Sequence, residues 1–154
     1  MSFQGETVSV SRTISAPAAK AWALVTDLPR MGEWSPENRG GKWIKASGPG
    51  LGVAFKGLNK NGKRSWSTKV VLTEWEPERR FAFDLVVFGH VMCTWGYEVE
   101  DRGSSCEVRH FWTDKRNAFD RKLGRVVSGV ADRASYNRKN MEVTLENLAK
   151  SAES

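Results

Sequence analysis

The chain has 154 residues, 40% hydrophobic and 27% charged, which is typical of one soluble globular domain with its own core. No apolar run approaches the roughly 20 residues that a membrane helix needs. The N-terminal stretch MSFQGETVSVSRTI lacks the basic start and apolar centre of a signal peptide. We therefore expect a single domain over residues 1–154, located in the cytoplasm.

The net charge of +6 permits binding to nucleic acid or anionic lipid. The basic residues are dispersed, however, and acids interleave with them in DKRNAFDRKLGR, which argues against nucleic acid as a partner. Two histidines and two cysteines are too few for a zinc site, so we expect no metal. The GPGLG stretch lies between predicted strands, without the following helix that a dinucleotide site requires, and we expect no cofactor.

The N-terminal third predicts one strand and two short helices. In ETVSVSRTI, apolar residues alternate from Val8 to Ile14, as in a half-buried strand. The segment APAAKAWALVTDL follows as a helix with Pro17 in its first turn and Trp22 facing the core. The turn-rich segment PRMGEWSPENRGG predicts a brief second helix that ends near Trp34.

Strands separated by turn signals occupy the middle of the chain. Four of them are KWIKAS, VAFKGLN, RSWSTKVVLTEWEP and RRFAFDLVVF. The stretch VMCTWGYEVEDRGSSCEVRHFW then predicts a hairpin of two alternating strands. With the first strand this makes about seven, in an order that favours antiparallel pairing.

The hairpin has one aromatic and apolar face, and its first strand contributes Val91, Cys93, Trp95, Tyr97 and Val99 to it. The second strand contributes Cys106, Val108, His110 and Trp112.

A turn centred near Arg102-Gly103 sets the predicted register of this hairpin. It places Trp95 opposite His110 and Tyr97 opposite Val108. It also places Cys93 opposite Trp112 and Cys106 opposite Val99. The two cysteines are then not paired, so we expect no disulfide.

The C-terminal segment predicts one long amphipathic helix from about residue 117 to residue 149. Its apolar residues recur in steps of three and four, at Phe119, Leu123, Val126, Val127, Val130, Ala134, Met141, Leu145 and Leu148. Such a helix would span about 45 Å. Gly124 and Gly129 weaken its first half, and they allow close packing or a bend. The sheet is expected to curl round this helix and leave room for a cavity.

Three stretches resemble a known family. They are SRTISAPAAKAWALVTDLPRMGEWSP, WSTKVVLTEWEPERRFAFDL and YNRKNMEVTLENLAK. The chain is similar to START-like (SRPBCC) proteins of the polyketide cyclase/dehydrase and lipid transport group. The resemblance covers nearly the whole chain and implies an α+β helix-grip fold, in which a curved antiparallel sheet of about seven strands surrounds a long C-terminal helix, with two short helices after strand 1. One fold hosts many functions, so function has to be argued from the site.

The resemblance implies that ligand lies between the concave face of the sheet and the C-terminal helix. Buried indole, phenol and imidazole groups need hydrogen-bond partners, and a ligand or trapped water can supply them. A plain packed core remains the alternative. The predicted ligand-binding residues are Trp34, Phe55, Trp66, Cys93, Trp95, Tyr97, Val108, His110, Trp112, Val130, Ala134, Asn137 and Met141.

Three functions remain open. The first is binding of a hydrophobic small molecule, aromatic or lipid-like, in an internal cavity. The second is a polyketide cyclase or dehydratase in which His110, Tyr97 or Glu37 moves protons. The third is a protein-interaction module with a filled core and an exposed apolar patch. The sequence leaves open whether the chain is an enzyme and whether it forms a homodimer.

Overall fold

A computed structural model describes residues 6–154. Seven antiparallel strands form one curved sheet in the order β1-β7-β6-β5-β4-β3-β2. The first five residues of the N-terminal stretch examined for a signal peptide lie outside the described range. The strands are β1 Thr7–Ile14, β2 Asn38–Ile44, β3 Ala54–Asn61, β4 Arg64–Glu76, β5 Arg80–Val87, β6 His90–Asp101 and β7 Cys106–Asp114.

Two short helices follow β1, as the sequence predicts: α1 (Ala18–Val25) and a 3-10 helix (Leu28–Glu33). Pro17 lies just before α1, and its carbonyl accepts the first helical hydrogen bonds. Two further helices, α2 (Ala118–Ser128) and α3 (Arg133–Glu153), end the fold. The predicted helix-grip fold is confirmed.

The hydrophobic core lies between the concave face of the sheet and α3. Leu145 and Leu148 of α3 are buried there with Ile14 of β1, Val108 of β7 and Trp22 of α1. At about 1.5 Å per residue, the 21 residues of α3 extend for about 32 Å. This helix contacts β1 and β7, whereas α2 contacts β4.

The single helix predicted over residues 117–149 is wrong, because the chain breaks between α2 and α3. Gly129 adopts the left-handed conformation (φ 76°) and ends α2, a common use of glycine at a helix C-terminus. Two side chains from the β3–β4 hairpin donate hydrogen bonds to carbonyl groups at this end of α2. Asn61 Nδ2 donates to the Ser128 carbonyl at 2.8 Å, and Arg64 donates to the Val126 carbonyl. The next helix, α3, begins at Arg133 and is capped by Asp132, whose side chain accepts from the Ser135 amide.

The apolar residues of α2 are also not buried as predicted. Phe119 is 72% exposed, Val126 62%, Val127 43% and Leu123 38%. Because the helix is broken at Gly129, the apolar residues of α2 are not in line with those of α3 and do not enter the core. Within the predicted stripe, Met141, Leu145 and Leu148 of α3 are the most deeply buried residues.

The predicted hairpin register is wrong by two residues. Trp95 pairs with Trp112 and Tyr97 with His110. The loop spans residues 102–105, closed by a hydrogen bond from the Arg102 amide to the Ser105 carbonyl. Its centre therefore lies one residue later than predicted. Moving the centre by one residue shifts every cross-strand pair by two and keeps each side chain on its face.

The same shift changes the neighbours of the two cysteines. Cys93 lies opposite Asp114, and Cys106 lies opposite Asp101. Both thiols are buried and free.

A bulge in β6 alters the predicted face at its first residues. Leu85 of β5 pairs with Cys93, but the next residue, Val86, pairs with Val91. Met92 is therefore an extra residue, which breaks the alternation. Val91 does not share the cavity-facing side of β6, whereas Met92 reaches the cavity.

No helix within residues 6–154 is long and apolar enough to cross a membrane.

Candidate functional site

A cavity of about 480 Å³ lies between the concave face of the sheet and the C-terminal helices. Its size is within the range of about 300–1,000 Å³ that is usual for small-molecule sites. Most of its wall is apolar or aromatic. The wall is built from strands β3 to β7, the start of β2 and the segment before it, α2 and one face of α3.

Strand alternation explains which sheet residues reach the cavity. Phe83, Trp95 and Trp112 are consecutive cross-strand neighbours on β5, β6 and β7, and all three line the cavity. On β3 and β4, Phe55 lies opposite Val70, and both residues are also in the wall. These parts of the concave face are therefore aromatic and aliphatic.

Helix periodicity explains the opposite wall. Arg133, Asn137, Asn140, Met141 and Thr144 line the cavity, and their steps of three and four place them on one face of α3. This face is unusual for an apolar cavity because four of the five side chains are polar or charged. Polar side chains also lie elsewhere in the wall, including Asn38, Asn59 and Thr68, but these three are hydrogen-bonded to one another.

His110 is buried beneath the aromatic wall as a neutral imidazole. Its ring stacks on Tyr97 at 3.9 Å and on Trp95 at 5.4 Å between ring centroids. Nδ1 lies 3.0 Å from the Gly96 carbonyl oxygen. A carbonyl only accepts, so Nδ1 carries the hydrogen and Nε2 keeps its lone pair. Burial lowers the pKa of His110 to about 3, although the hydrogen bond to Gly96 opposes this shift.

The other ionisable groups of the sheet wall are also held neutral. Burial raises the pKa of the Tyr97 phenol, and it raises the pKa of the Cys93 thiol to about 12. Neither group ionises near neutral pH. Among residues 6–154 no group of three or more His, Cys, Asp or Glu side chains is placed to hold a metal ion.

Arg116, paired with Asp114, is one charged residue of the wall, and the other charged part is an ion pair between α3 and the segment before β2. Arg133 Nη1 lies 2.9 Å from each carboxylate oxygen of Glu37 and 3.3 Å from Oδ1 of Asn137. The side chains of Arg133 and Glu37 are only 14% and 15% exposed. Because the two charges neutralise each other, this part of the wall presents little net charge to a ligand.

Two amide groups beside this ion pair lack partners. Nδ2 of Asn137 and Nδ2 of Asn140 are buried and have no hydrogen-bond partner among the described residues. Asn137 as a whole is only 1% exposed. Buried donors without partners are uncommon and costly, so these two amides leave hydrogen-bonding capacity unused at this part of the wall.

The cavity opens between the β5–β6 turn and α2. Phe88, in that turn, is 99% exposed and also lines the cavity. Leu123 and Val127 of α2 are partly exposed and line it from the other side. The entrance is therefore apolar.

Most of the residues predicted to bind ligand lie together in this wall. Those that line the cavity are Phe55, Trp66, Cys93, Trp95, Tyr97, His110, Trp112, Asn137 and Met141.

Four predicted residues do not line the cavity. Trp34 is buried in the core, where its carbonyl accepts a hydrogen bond from Asn147. Val108 is fully buried in the same core, beyond the cavity. Val130 lies in the α2–α3 connection and Ala134 packs against the small cluster around Met141. The helix break moves Val130 and Ala134 out of the predicted stripe.

The three candidate proton-transfer residues, His110, Tyr97 and Glu37, all line the cavity. Their environments differ, however. The first two are stacked rings on the sheet, whereas Glu37 is paired with Arg133. The described residues place no carboxylate within hydrogen-bonding distance of His110, whose ring bonds to the Gly96 carbonyl.

Sequence reasoning missed three polar residues of the helix wall: Arg133, Asn140 and Thr144. Their spacing from Asn137 could have placed them on its helix face, since residues three and four apart share a face. The sequence does not show, however, that this face of the helix lies toward the cavity. Phe83 was not among the predicted residues either, because the sequence does not show which side of the sheet is concave.

A family model supports the same architecture over almost the whole chain. The model described as "Polyketide cyclase / dehydrase and lipid transport" matches residues 6–153. The chain belongs to this family. The match confirms the START-like resemblance drawn from the sequence. The family includes both cyclases and lipid carriers by its description, so membership leaves the reaction and the ligand open. No curated protein matches the chain.

Solved structures share the fold at low sequence identity. A polyketide-cyclase-like protein from Corynebacterium glutamicum is 26% identical, with 91% of this chain and 93% of that chain covered and a TM-score of 0.54. The ginseng (Panax ginseng) major latex-like protein 151 is 12% identical, with 97% and 99% covered and a TM-score of 0.72. The di-domain ARO/CYC protein StfQ of the steffimycin biosynthetic pathway is 11% identical, with 97% and 51% covered and a TM-score of 0.74.

Proposed function

We propose that this protein binds a hydrophobic small molecule in the cavity between its sheet and α3. The observation that carries the proposal is the cavity itself: about 480 Å³ of space beside an aromatic wall with an apolar entrance. A core that only stabilised the fold would be closely packed. Burial of apolar ligand surface contributes roughly 25 cal/mol per Å² before the costs of binding are subtracted.

Two observations bear on the alternatives. The low pKa of His110 makes it a weak base that is not present as the acidic imidazolium near neutral pH. This weighs against a cyclase or dehydratase that relies on His110. An interaction module was expected to have a filled core, and the open cavity weighs against it, although the exposed α2 stripe is the kind of patch that such a module would carry. A cytoplasmic location stays a prediction from the sequence, and homodimer formation stays open.

Native mass spectrometry of the purified protein, with organic extraction, tests for a bound molecule directly. A titration with the neutral fluorescent probe N-phenyl-1-naphthylamine then tests the site. The informative variant is Leu85→Trp, because Leu85 lies in the cavity wall and added bulk would fill the space. We expect about tenfold weaker probe binding.

The matched control is Leu51→Trp. Leu51 is 69% exposed, in the loop between β2 and β3 and outside the cavity wall. This variant should bind the probe as the wild type does. Equal binding by both variants would place the probe on a surface such as α2 and would contradict the proposal.

A further inference from the structure

The two unpartnered amide groups on α3 indicate which kind of hydrogen-bonding atom a ligand would place beside them. The identity of the free group on Asn137 follows from its neighbour. A guanidinium only donates, so the amide atom 3.3 Å from Arg133 Nη1 is the oxygen. The remaining group of Asn137 is the NH₂ donor, and it has no partner.

Asn140 adds a second donor to the same place. It lies three residues after Asn137 on one face of α3, where side chains at this spacing are neighbours. Its Nδ2 is also buried without a partner, and both residues line the cavity. Two neighbouring donors that face an apolar cavity favour a ligand with an accepting oxygen.

The charge around these donors distinguishes a neutral oxygen from an anionic one. Arg133 is already paired with both oxygens of Glu37, so its charge is compensated. A ligand carboxylate at Asn137 would bring a second negative charge close to Glu37, which is unfavourable in a buried site. A ligand ammonium would find no acceptor in the NH₂ groups.

We infer that Asn137 and Asn140 donate hydrogen bonds to a neutral carbonyl oxygen, of the ketone or quinone type, on an otherwise apolar ligand. This inference rests on the proposed function, because it assigns the polar contact within the same cavity. The aromatic wall of Trp95, Trp112 and Phe83 contacts the apolar part of the ligand. The two amides orient its oxygen toward α3.

The test compares three probes of one ring system: 9-fluorenone, the hydrocarbon fluorene and fluorene-9-carboxylate. Affinity is measured by quenching of tryptophan fluorescence, since three tryptophans line the cavity. The wild-type protein should bind the ketone about tenfold more tightly than the hydrocarbon, equivalent to about 1.4 kcal/mol. The carboxylate should bind more weakly than the ketone. The carbonyl stretch of bound 9-fluorenone should shift to lower frequency.

The variants Asn137→Leu and Asn140→Leu remove one donor each. Both should lose most of the preference for the ketone and keep their affinity for the hydrocarbon. The matched control is Asn147→Leu on the same helix. Asn147 lies outside the cavity wall, and its Nδ2 already donates to the Trp34 carbonyl. This control should keep the ketone preference, and circular dichroism checks that each variant folds.

The outcomes separate this inference from the function on which it rests. Equal binding of ketone and hydrocarbon, unchanged in the two cavity variants, would overturn the inference and leave hydrophobic binding standing. Tighter binding of the carboxylate would overturn the neutral assignment. Failure of all three probes to bind would overturn the proposed function and this inference together.

Discussion

At the scale of single residues, burial decides what the titratable groups can do. His110 was the natural candidate for acid–base chemistry because an ordinary imidazole titrates near pH 6.5. In the fold its ring is sandwiched between Tyr97 and Trp95 and bonded to the Gly96 carbonyl. His110, which the sequence suggested as a catalytic residue, is therefore a neutral ring packed among the aromatic residues of the cavity wall.

His110 makes stability depend on pH in a defined window. Its pKa is about 3 in the folded protein and about 6.5 when unfolded, so the unfolded state binds this proton more readily. Its contribution is fully present above about pH 6.5 and is lost as the pH falls toward 3. The loss amounts to about 1.4 kcal/mol per pH unit. Urea denaturation between pH 4 and pH 8 measures it.

The comparison that isolates this effect uses His110→Gln, since glutamine can still donate to a carbonyl but does not titrate. Subtracting the stability profile of this variant from that of the wild type removes the background from carboxylates. His90→Gln serves as the control, because His90 is half-exposed and lies beside Asp120. An unchanged slope in His110→Gln would show that the buried imidazole is not its source.

At the scale of elements, the division of the C-terminal segment into α2 and α3 is the main structural feature that sequence periodicity missed. Steps of three and four continue across Gly129, so a periodicity argument sees one helix. The break depends on long-range contacts, in which Asn61 and Arg64 of the β3–β4 hairpin bind carbonyls at the end of α2. It leaves the apolar stripe of α2 at the entrance of the cavity.

The same substitution at two glycines of this region should change stability in opposite directions. Gly129→Ala should destabilise the fold by about 1–2 kcal/mol, because a Cβ is disfavoured at φ 76°. The added Cβ at position 129 would also lie only 2.8 Å from Arg64 Nε. Gly124→Ala lies inside α2, where the added Cβ meets only Arg116 at an ordinary 3.5 Å. It should stabilise the fold by up to about 1 kcal/mol.

Urea denaturation curves of the two variants provide the measurement. If both substitutions stabilised the protein, α2 and α3 would form one continuous helix in solution, and the helix break would be contradicted.

At the scale of the whole molecule, side chains do not fill all of the space between the sheet and the C-terminal helices. A sheet of seven strands curls over a helix of 21 residues, and the space between the concave face and the first half of α3 remains a cavity. The unfilled space and the unpaired amides both reduce the stability of the empty protein. A ligand that fills the space should therefore also stabilise the fold.

We expect N-phenyl-1-naphthylamine at 100 times its dissociation constant to stabilise the protein by about 2.7 kcal/mol. For a chain of this size the corresponding rise in Tm is about 5–10 °C. Differential scanning calorimetry measures it. Leu85→Trp, with about tenfold weaker binding, should gain only about 1.4 kcal/mol and show about half the rise at the same probe concentration, whereas Leu51→Trp should respond like the wild type. A rise of equal size in Leu85→Trp would argue against binding in the cavity.

The sequence by itself determined the local elements and the family. Alternation in β1, β6 and β7 and helical spacing in α1 and α3 are properties of neighbouring residues, so they can be read without the fold. The side of the hairpin that carries Trp95, Tyr97, His110 and Trp112 was also predictable, because a register error of two residues preserves the face.

Only the tertiary structure decided the cavity and its chemistry. The pairing of Tyr97 with His110, the break at Gly129 and the meeting of Arg133 with Glu37, 96 positions away in the chain, all depend on contacts between distant segments. The pKa of His110 and the missing partners of Asn137 and Asn140 depend on burial. Burial is set by everything that packs around a residue, and local sequence does not contain that information.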